Sequence, residues 1–226
     1  MKAAIFDLDG TLIDSAPGLW HAVNVLLAER ALPSLPLQRV AGFIGHGLGQ
    51  FVHGVLSDAG DPPEDAALPA ITDRFSQIYG RDPMRDCQLY PGAEALLHDL
   101  ARAGWQIGLC TNKSEALARD MLAACGVAPL FAAVTGGDTL PQRKPDPAPL
   151  RHTMAALATA PGQVVFVGDS AVDAATAAAA GVPFAFHAAG YHNSGGEDGG
   201  EIGAALRFSA FDTALPRALA ALLDQA

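Results

Sequence analysis

The chain has 226 residues, enough for one large domain or two modest ones with a real core. Apolar residues make up 50% and charged residues 17%, which excludes an intrinsically disordered chain. Fourteen Lys and Arg against 24 Asp and Glu leave a net charge of −10, which argues against general nucleic-acid binding.

In chain order, Ala3 to Phe6 reads as a short buried strand running into Asp7-Leu8-Asp9-Gly10-Thr11. From about Ser15 to Met84 the spacing is helical, as in Leu19, Val23, Leu26 and Leu27, and Pro33, Pro36, Pro62 and Pro63 punctuate it. This predicts a small helical domain at 15–84 inserted into a core made of 1–14 and 85–226, with hinges near Asp14–Pro17 and Arg81–Pro91. Further apolar runs follow at Trp105–Cys110, Ala132–Thr135, Val164–Val167 and Val182–Phe186. They are continuous rather than alternating, as expected of parallel strands covered on both faces. Helical stretches lie between them at Gly92–Ala103, Ser114–Cys125, Pro147–Leu157 and Ala171–Ala180. The alternation predicts an α/β fold with a Rossmann-like, doubly wound parallel sheet. His192 to Gly203, rich in Gly and acid, reads as a mobile loop; Arg207-Phe208 starts an edge strand, and a last helix begins near Leu215.

No apolar run approaches the roughly 18 residues that span a bilayer, so no membrane partner is expected. The N-terminus lacks the basic region and small-residue cleavage site of a secretory signal. Cys87, Cys110 and Cys125 match no zinc spacing and read as free thiols, so a cytoplasmic location is expected. Monomer and homodimer both stay open.

Chemistry concentrates at the predicted strand ends, where open α/β sheets bind ligands. Asp7 and Asp9, at i and i+2, share one side of the first strand, and Gly10 allows a sharp turn beyond them. A solvated turn would give the same pattern. Thr111-Asn112 can bind a phosphate oxygen or simply cap a helix. Lys144, stiffened by Pro145 and Pro147, is either a cation aimed at a dianion or a solvated lysine. Asp169 ends another strand as a third carboxylate able to hold Mg²⁺, and Asp173 is a metal neighbour or a helix cap.

Taken together, Asp7-Leu8-Asp9-Gly10-Thr11, Thr111-Asn112, Lys144-Pro145 and Gly168-Asp169-Ser170 through Asp173 resemble the four motifs of the haloacid-dehalogenase superfamily, specifically its Mg²⁺-dependent phosphatases. The resemblance implies that Asp7 is the nucleophile and Asp9 the general acid and base. It implies that Mg²⁺ is held by Asp7, the main-chain carbonyl of Asp9, and Asp169. Thr111 and Lys144, with backbone N–H groups of Leu8, Asp9 and Asn112, would stabilise the transferring phosphoryl group. Asp173 would position metal-bound water or Lys144. An acid at Asp9 is unlike the dehalogenases, Leu19 replaces a histidine usual in the β-phosphoglucomutase branch, and the cap has no lysine for phosphonatase chemistry.

Within the phosphatases the chain is most similar to the bacterial phosphoglycolate phosphatases, through Ser15-Ala16-Pro17, the cap loop Phe43 to Gly49, and Gly190-Tyr191. Gly18, where that group often has Asp, and Ala171 depart from it. The expected substrate is a small phosphorylated metabolite, 2-phosphoglycolate first, with a sugar phosphate or nucleotide as alternative and a non-catalytic ligand-binding domain as a third reading. Arg39 and His46, beside the glycine-rich cap loop, are the candidates for binding a substrate carboxylate.

Overall fold

The computed structural model describes residues 1–191 and 202–224. The elements run β1 (Ala3–Phe6), β2 (Ile13–Asp14), α1 (Ala16–Glu29), α2 (Leu37–Ala41), α3 (Leu48–Asp58), α4 (Leu68–Tyr79) and β3 (Gln88–Leu89). They continue with α5 (Ala93–Arg102), β4 (Gln106–Cys110), α6 (Glu115–Ala124), β5 (Ala133–Thr135), α7 (Ala148–Ala156) and β6 (Val164–Gly168). Helix α8 (Ala171–Ala180), β7 (Phe184–His187), β8 (Leu206–Phe208) and α9 (Leu215–Leu223) complete the order. The expected loop at His192–Gly203 falls largely outside the described residues.

Six parallel strands form one sheet in the order β5-β4-β1-β6-β7-β8. The first strand is central: after it the chain builds outward on one side through β4 and β5, and on the other through β6, β7 and β8. This is the doubly wound order, whose switch point lies between β1 and β6 and opens a crevice at the carboxyl ends. Two apolar layers bury the sheet. One includes Phe6, Leu97, Met121 and Leu219; the other includes Ile5, Leu150, Phe166 and Ala177. The strands read as unbroken apolar runs because both faces are covered.

Helices α1 to α4 share a separate apolar cluster of Leu19, Val23, Leu27, Val52, Phe75 and their neighbours. In α1 the buried positions Leu19, Ala22, Val23, Leu26 and Leu27 repeat at helical spacing, and Pro17 opens the helix. The chain passes between this cluster and the sheet layers twice. At those crossings lie two strands of two residues each, β2 and β3, paired antiparallel through Ile13 with Leu89 and Asp14 with Gln88. The sequence reading placed hinges there and did not anticipate the ribbon, because two residues carry no period to read.

Candidate active site

Strand β1 delivers Asp7 to the middle of the crevice. Asp7 is buried, and Lys144 Nζ lies 2.8 Å from its Oδ1. The approach lies outside hydrogen-bonding geometry, so Oδ1 is left without a hydrogen-bond partner. Burial pushes the Asp7 carboxyl up from 3.8 to about 6, against the pull of Lys144. Burial alone would lower the pKa of Lys144, but the negative charges of Asp173 and Asp7 hold its ammonium well above the ordinary range.

Asp173 does two jobs. Its Oδ2 accepts from the Ser170 hydroxyl (2.5 Å) and backbone N–H (3.1 Å), closing a capping box at the start of α8. Its Oδ1 accepts from Lys144 Nζ at 2.7 Å. Both expectations for this residue, helix cap and lysine holder, describe the one carboxylate. Asp169 accepts from the Thr11 hydroxyl (2.9 Å) and the Tyr191 backbone N–H (2.8 Å). Burial, then the charges of Asp173 and Asp7, push its carboxyl well above the usual range.

Carboxylate oxygens of Asp7, Asp169 and Asp173 lie within 4.8 Å of one another. Three buried carboxylates, an unsatisfied Oδ1 on Asp7 and an all-oxygen donor set fit a hard divalent cation. Asp173 is committed to the Lys144 ammonium and the α8 cap, whereas Asp169 meets only neutral donors, one on each oxygen, so Asp7 and Asp169 are the side chains with acceptor capacity left for an ion. The Asp9 side chain is not in this cluster, which leaves only its main-chain carbonyl for the metal role the resemblance implies.

The Asp9 carboxylate turns to the other side of the cleft. Ser15 Oγ donates to its Oδ1 at 2.5 Å, and Lys113 Nζ reaches Oδ1 at 2.8 Å and Oδ2 at 3.1 Å. The Lys113 side chain is 6% exposed, and its ammonium sits 5.0 Å from the Tyr79 ring centroid. Burial opposes that charge, while Asp9 and Tyr79 override the burial and raise the Lys113 pKa. Sequence reasoning passed over Lys113, although it directly follows Thr111-Asn112. Tyr79 carried no signal either, since on α4 it reads as an ordinary core position.

Thr111 is buried and lines the cleft. The Asn112 side chain is a clip: its Nδ2 donates to Gly45 O (2.9 Å) and Lys144 O (3.1 Å), and its Oδ1 accepts from Lys144 N (3.0 Å). Only its backbone is left for a ligand. The same holds for Leu8, whose side chain is wholly buried in the core.

Two candidates lie elsewhere. Arg39 is 63% exposed and forms an ion pair with Asp58, on the cap surface. His46 is exposed, and neither residue is among those lining the cleft. The glycine-rich loop itself does line it, through Gly45, Gly47 and Gly49, but with backbone. In this structure neither Arg39 nor His46 reaches the cleft: nearness in sequence to the loop does not fix which way the side chains face.

The cleft has a volume of about 740 Å³. Asp7, Asp9, Thr111, Asn112 and Lys113 form its core side, and Leu19, Ile44, Phe51, Leu68 and Tyr79 its cap side.

Comparison with known proteins agrees with this geometry. A family model described as haloacid dehalogenase-like hydrolase matches residues 4–187. A phosphoglycolate phosphatase of Cereibacter sphaeroides is 47% identical over 194 residues, covering 86% of this chain and 88% of that protein. One from Rhodospirillum rubrum is 46% identical, covering 84% and 80%. A crystal structure of a predicted phosphoglycolate phosphatase from Haemophilus somnus superposes with a TM-score of 0.86 at 28% identity, covering 96% of this chain and 98% of that one. The family match, the central Asp7 and the strand-tip cluster around it agree, and the chain belongs to the haloacid dehalogenase-like hydrolases.

Proposed function

We propose that this chain is a metal-dependent phosphatase that hydrolyses a small phosphate monoester, 2-phosphoglycolate first, to the alcohol and inorganic phosphate. The observation that carries it is the Asp7 carboxylate at the tip of the central strand, with Lys144 beside it and one buried oxygen left without a hydrogen bond. The names of the relatives supply the substrate.

Asp7 attacks phosphorus as the ester P–O bond breaks, and an aspartyl-phosphate forms on Asp7. Ser15 anchors Asp9 Oδ1, and Oδ2, once released from Lys113, carries the proton that the departing alkoxide takes. Water then attacks phosphorus and gives its proton to Asp9, and the bond to Asp7 breaks to release phosphate. Lys144 and Thr111 hold the equatorial oxygens, and Asp173 fixes the direction of Lys144. Asp7 and Asp169 would hold the metal, which we take to be Mg²⁺; when bound it supplies the charge that lets a carboxylate approach a dianion. The cap at 15–84, with its own apolar cluster, covers the crevice as an inserted unit.

A bulkier substrate, such as a sugar phosphate, is the second reading, favoured by a cleft whose volume suits drug-sized ligands. Rates on a panel of phosphorylated metabolites, with Mg²⁺ and with chelator, decide the matter. Highest kcat/KM on 2-phosphoglycolate with loss in chelator is expected. Turnover unaffected by chelator, or full activity of Asp7→Asn, overturns the mechanism.

A further inference from the structure

A cleft this wide does not select a two-carbon acid by shape, so selection falls on charge. Two cations line it, Lys113 and Arg143. Arg143 is exposed at the rim, where its Nε donates to Gly137 O at 2.6 Å. Lys113 is the buried one, enclosed between Asp9 and the Tyr79 ring.

We propose that Lys113 is the seat for the substrate's carboxylate, and that Asp9 holds this seat until substrate arrives. The proposal rests on the phosphatase reading above and deepens it. Three observations support it. Lys113 spans both Asp9 oxygens, so Oδ2 faces an ammonium rather than an ester oxygen, and Asp9 must be released before it can protonate a leaving group. A buried ammonium stripped of its partner is strongly disfavoured, so Lys113 gives up Asp9 only to another anion. The reach also fits. In 2-phosphoglycolate the carboxyl carbon is two bonds from the ester oxygen that Asp9 must touch, and Lys113 Nζ is one hydrogen bond from Asp9.

The exchange is one carboxylate for another on the same ammonium, with Ser15 keeping Oδ1 anchored while Oδ2 turns to the substrate. A neutral ester brings no anion to exchange and leaves Asp9 on Lys113. The cation that reads the substrate thus lies on the core side of the cleft, against the cap residue Tyr79, and the seat is complete only when the two halves meet.

The test compares 2-phosphoglycolate with its neutral isostere carbamoylmethyl phosphate, in wild type and in Lys113→Gln, which keeps a donor for Asp9. Wild type is expected to favour the carboxylate in kcat/KM by about 10–100-fold, the size of a charge-assisted hydrogen bond. That ratio should fall to near one in Lys113→Gln. Equal losses on both substrates would make Lys113 a support for Asp9 alone and overturn the seat. A wild type that hydrolyses other esters but not 2-phosphoglycolate would instead overturn the substrate reading, before any variant is considered. A structure of the wild-type metal complex with 3-phosphonopropionate, in which methylene replaces the ester oxygen, is independent of how the variant folds. Its carboxylate should lie on Lys113 Nζ with Asp9 released; a carboxylate on Arg143, with Lys113 still on Asp9, refutes the proposal.

Discussion

Asp7, Lys144 and Asp173 form a buried chain of charges in which each member depends on the next. Replacing Lys144 with Met leaves two buried carboxylates facing each other without a cation. The expected loss is about 3–5 kcal/mol of stability in a denaturant titration, together with loss of turnover. Asp7 makes the site pH-sensitive. In the metal-free protein its carboxyl titrates at about 6 rather than 3.8, because burial outweighs Lys144. Between those values the folded state binds more protons than the unfolded state, so this contribution to stability falls as pH rises from about 4 to about 6. A divalent ion needs the Asp7 and Asp169 carboxylates, both of which burial holds protonated to higher pH than usual, so metal affinity should climb as pH rises through this range. Calorimetric titration of Mg²⁺ at several pH values checks this, and an affinity flat across the range counts against Asp7 as a ligand. Asp9→Asn should lose about 10²–10⁴-fold on an alkyl ester and less on an aryl phosphate, whose leaving group needs no proton. The strand-tip residues were legible because each sits at a fixed offset from an apolar run. Lys113 was not, since only the folded chain brings Asp9 and Tyr79 to it across 104 and 34 positions.

At the scale of elements, the turn after β1 is set by one glycine. Gly10 has φ 82°, and a Cβ there would stand 2.3 Å from Asp169 Oδ2. Gly10→Ala should therefore push the Asp169 carboxylate, a candidate metal ligand, out of place, as well as costing about 1 kcal/mol for the left-handed backbone. Weaker Mg²⁺ binding, with only a modest drop in melting temperature, is the expected signature; unchanged affinity would free the turn of this role. Gly18 has a similar explanation. On α1 it packs against the second chain crossing, where a Cβ would lie 2.8 Å from Cys87 Sγ and 3.1 Å from Pro83 O. A larger residue there needs the crossing to move. Tyr191 ties the first crossing to the site: its hydroxyl donates to Asp14 Oδ1 (2.6 Å) and accepts from Ala16 N (2.8 Å), while its backbone N–H holds Asp169. Helices and sheet strands were readable from periodicity, but β2 and β3 were not, because pairing between distant chain segments creates them.

Across the whole molecule, the cap-side loop and the core meet through a hydrogen bond from Asn112 to the Gly45 carbonyl, directly over the crevice. A phosphatase must limit water during phosphoryl transfer and admit it for hydrolysis, so the helical unit is expected to rotate about the two crossings. Distances between spin labels on α3 and α7 should shorten on adding Mg²⁺ and a phosphate analogue; distances identical in both states would argue against gating. In the described residues no helix is long and apolar enough to cross a membrane. By itself the sequence determined the doubly wound sheet, the helical insertion's existence and the four strand-tip motifs. Each of these is written in local order: an apolar run, a turn residue, a carboxylate or cation at a set distance. Only the tertiary structure decided what faces what. It sent Arg39 to Asp58 on the surface, turned Asp9 toward Lys113, gave Asp173 both a helix cap and a lysine, and set one oxygen of Asp7 against Lys144 without a hydrogen bond. Those outcomes depend on which buried charges find partners across the fold, and a linear chain records no such distances.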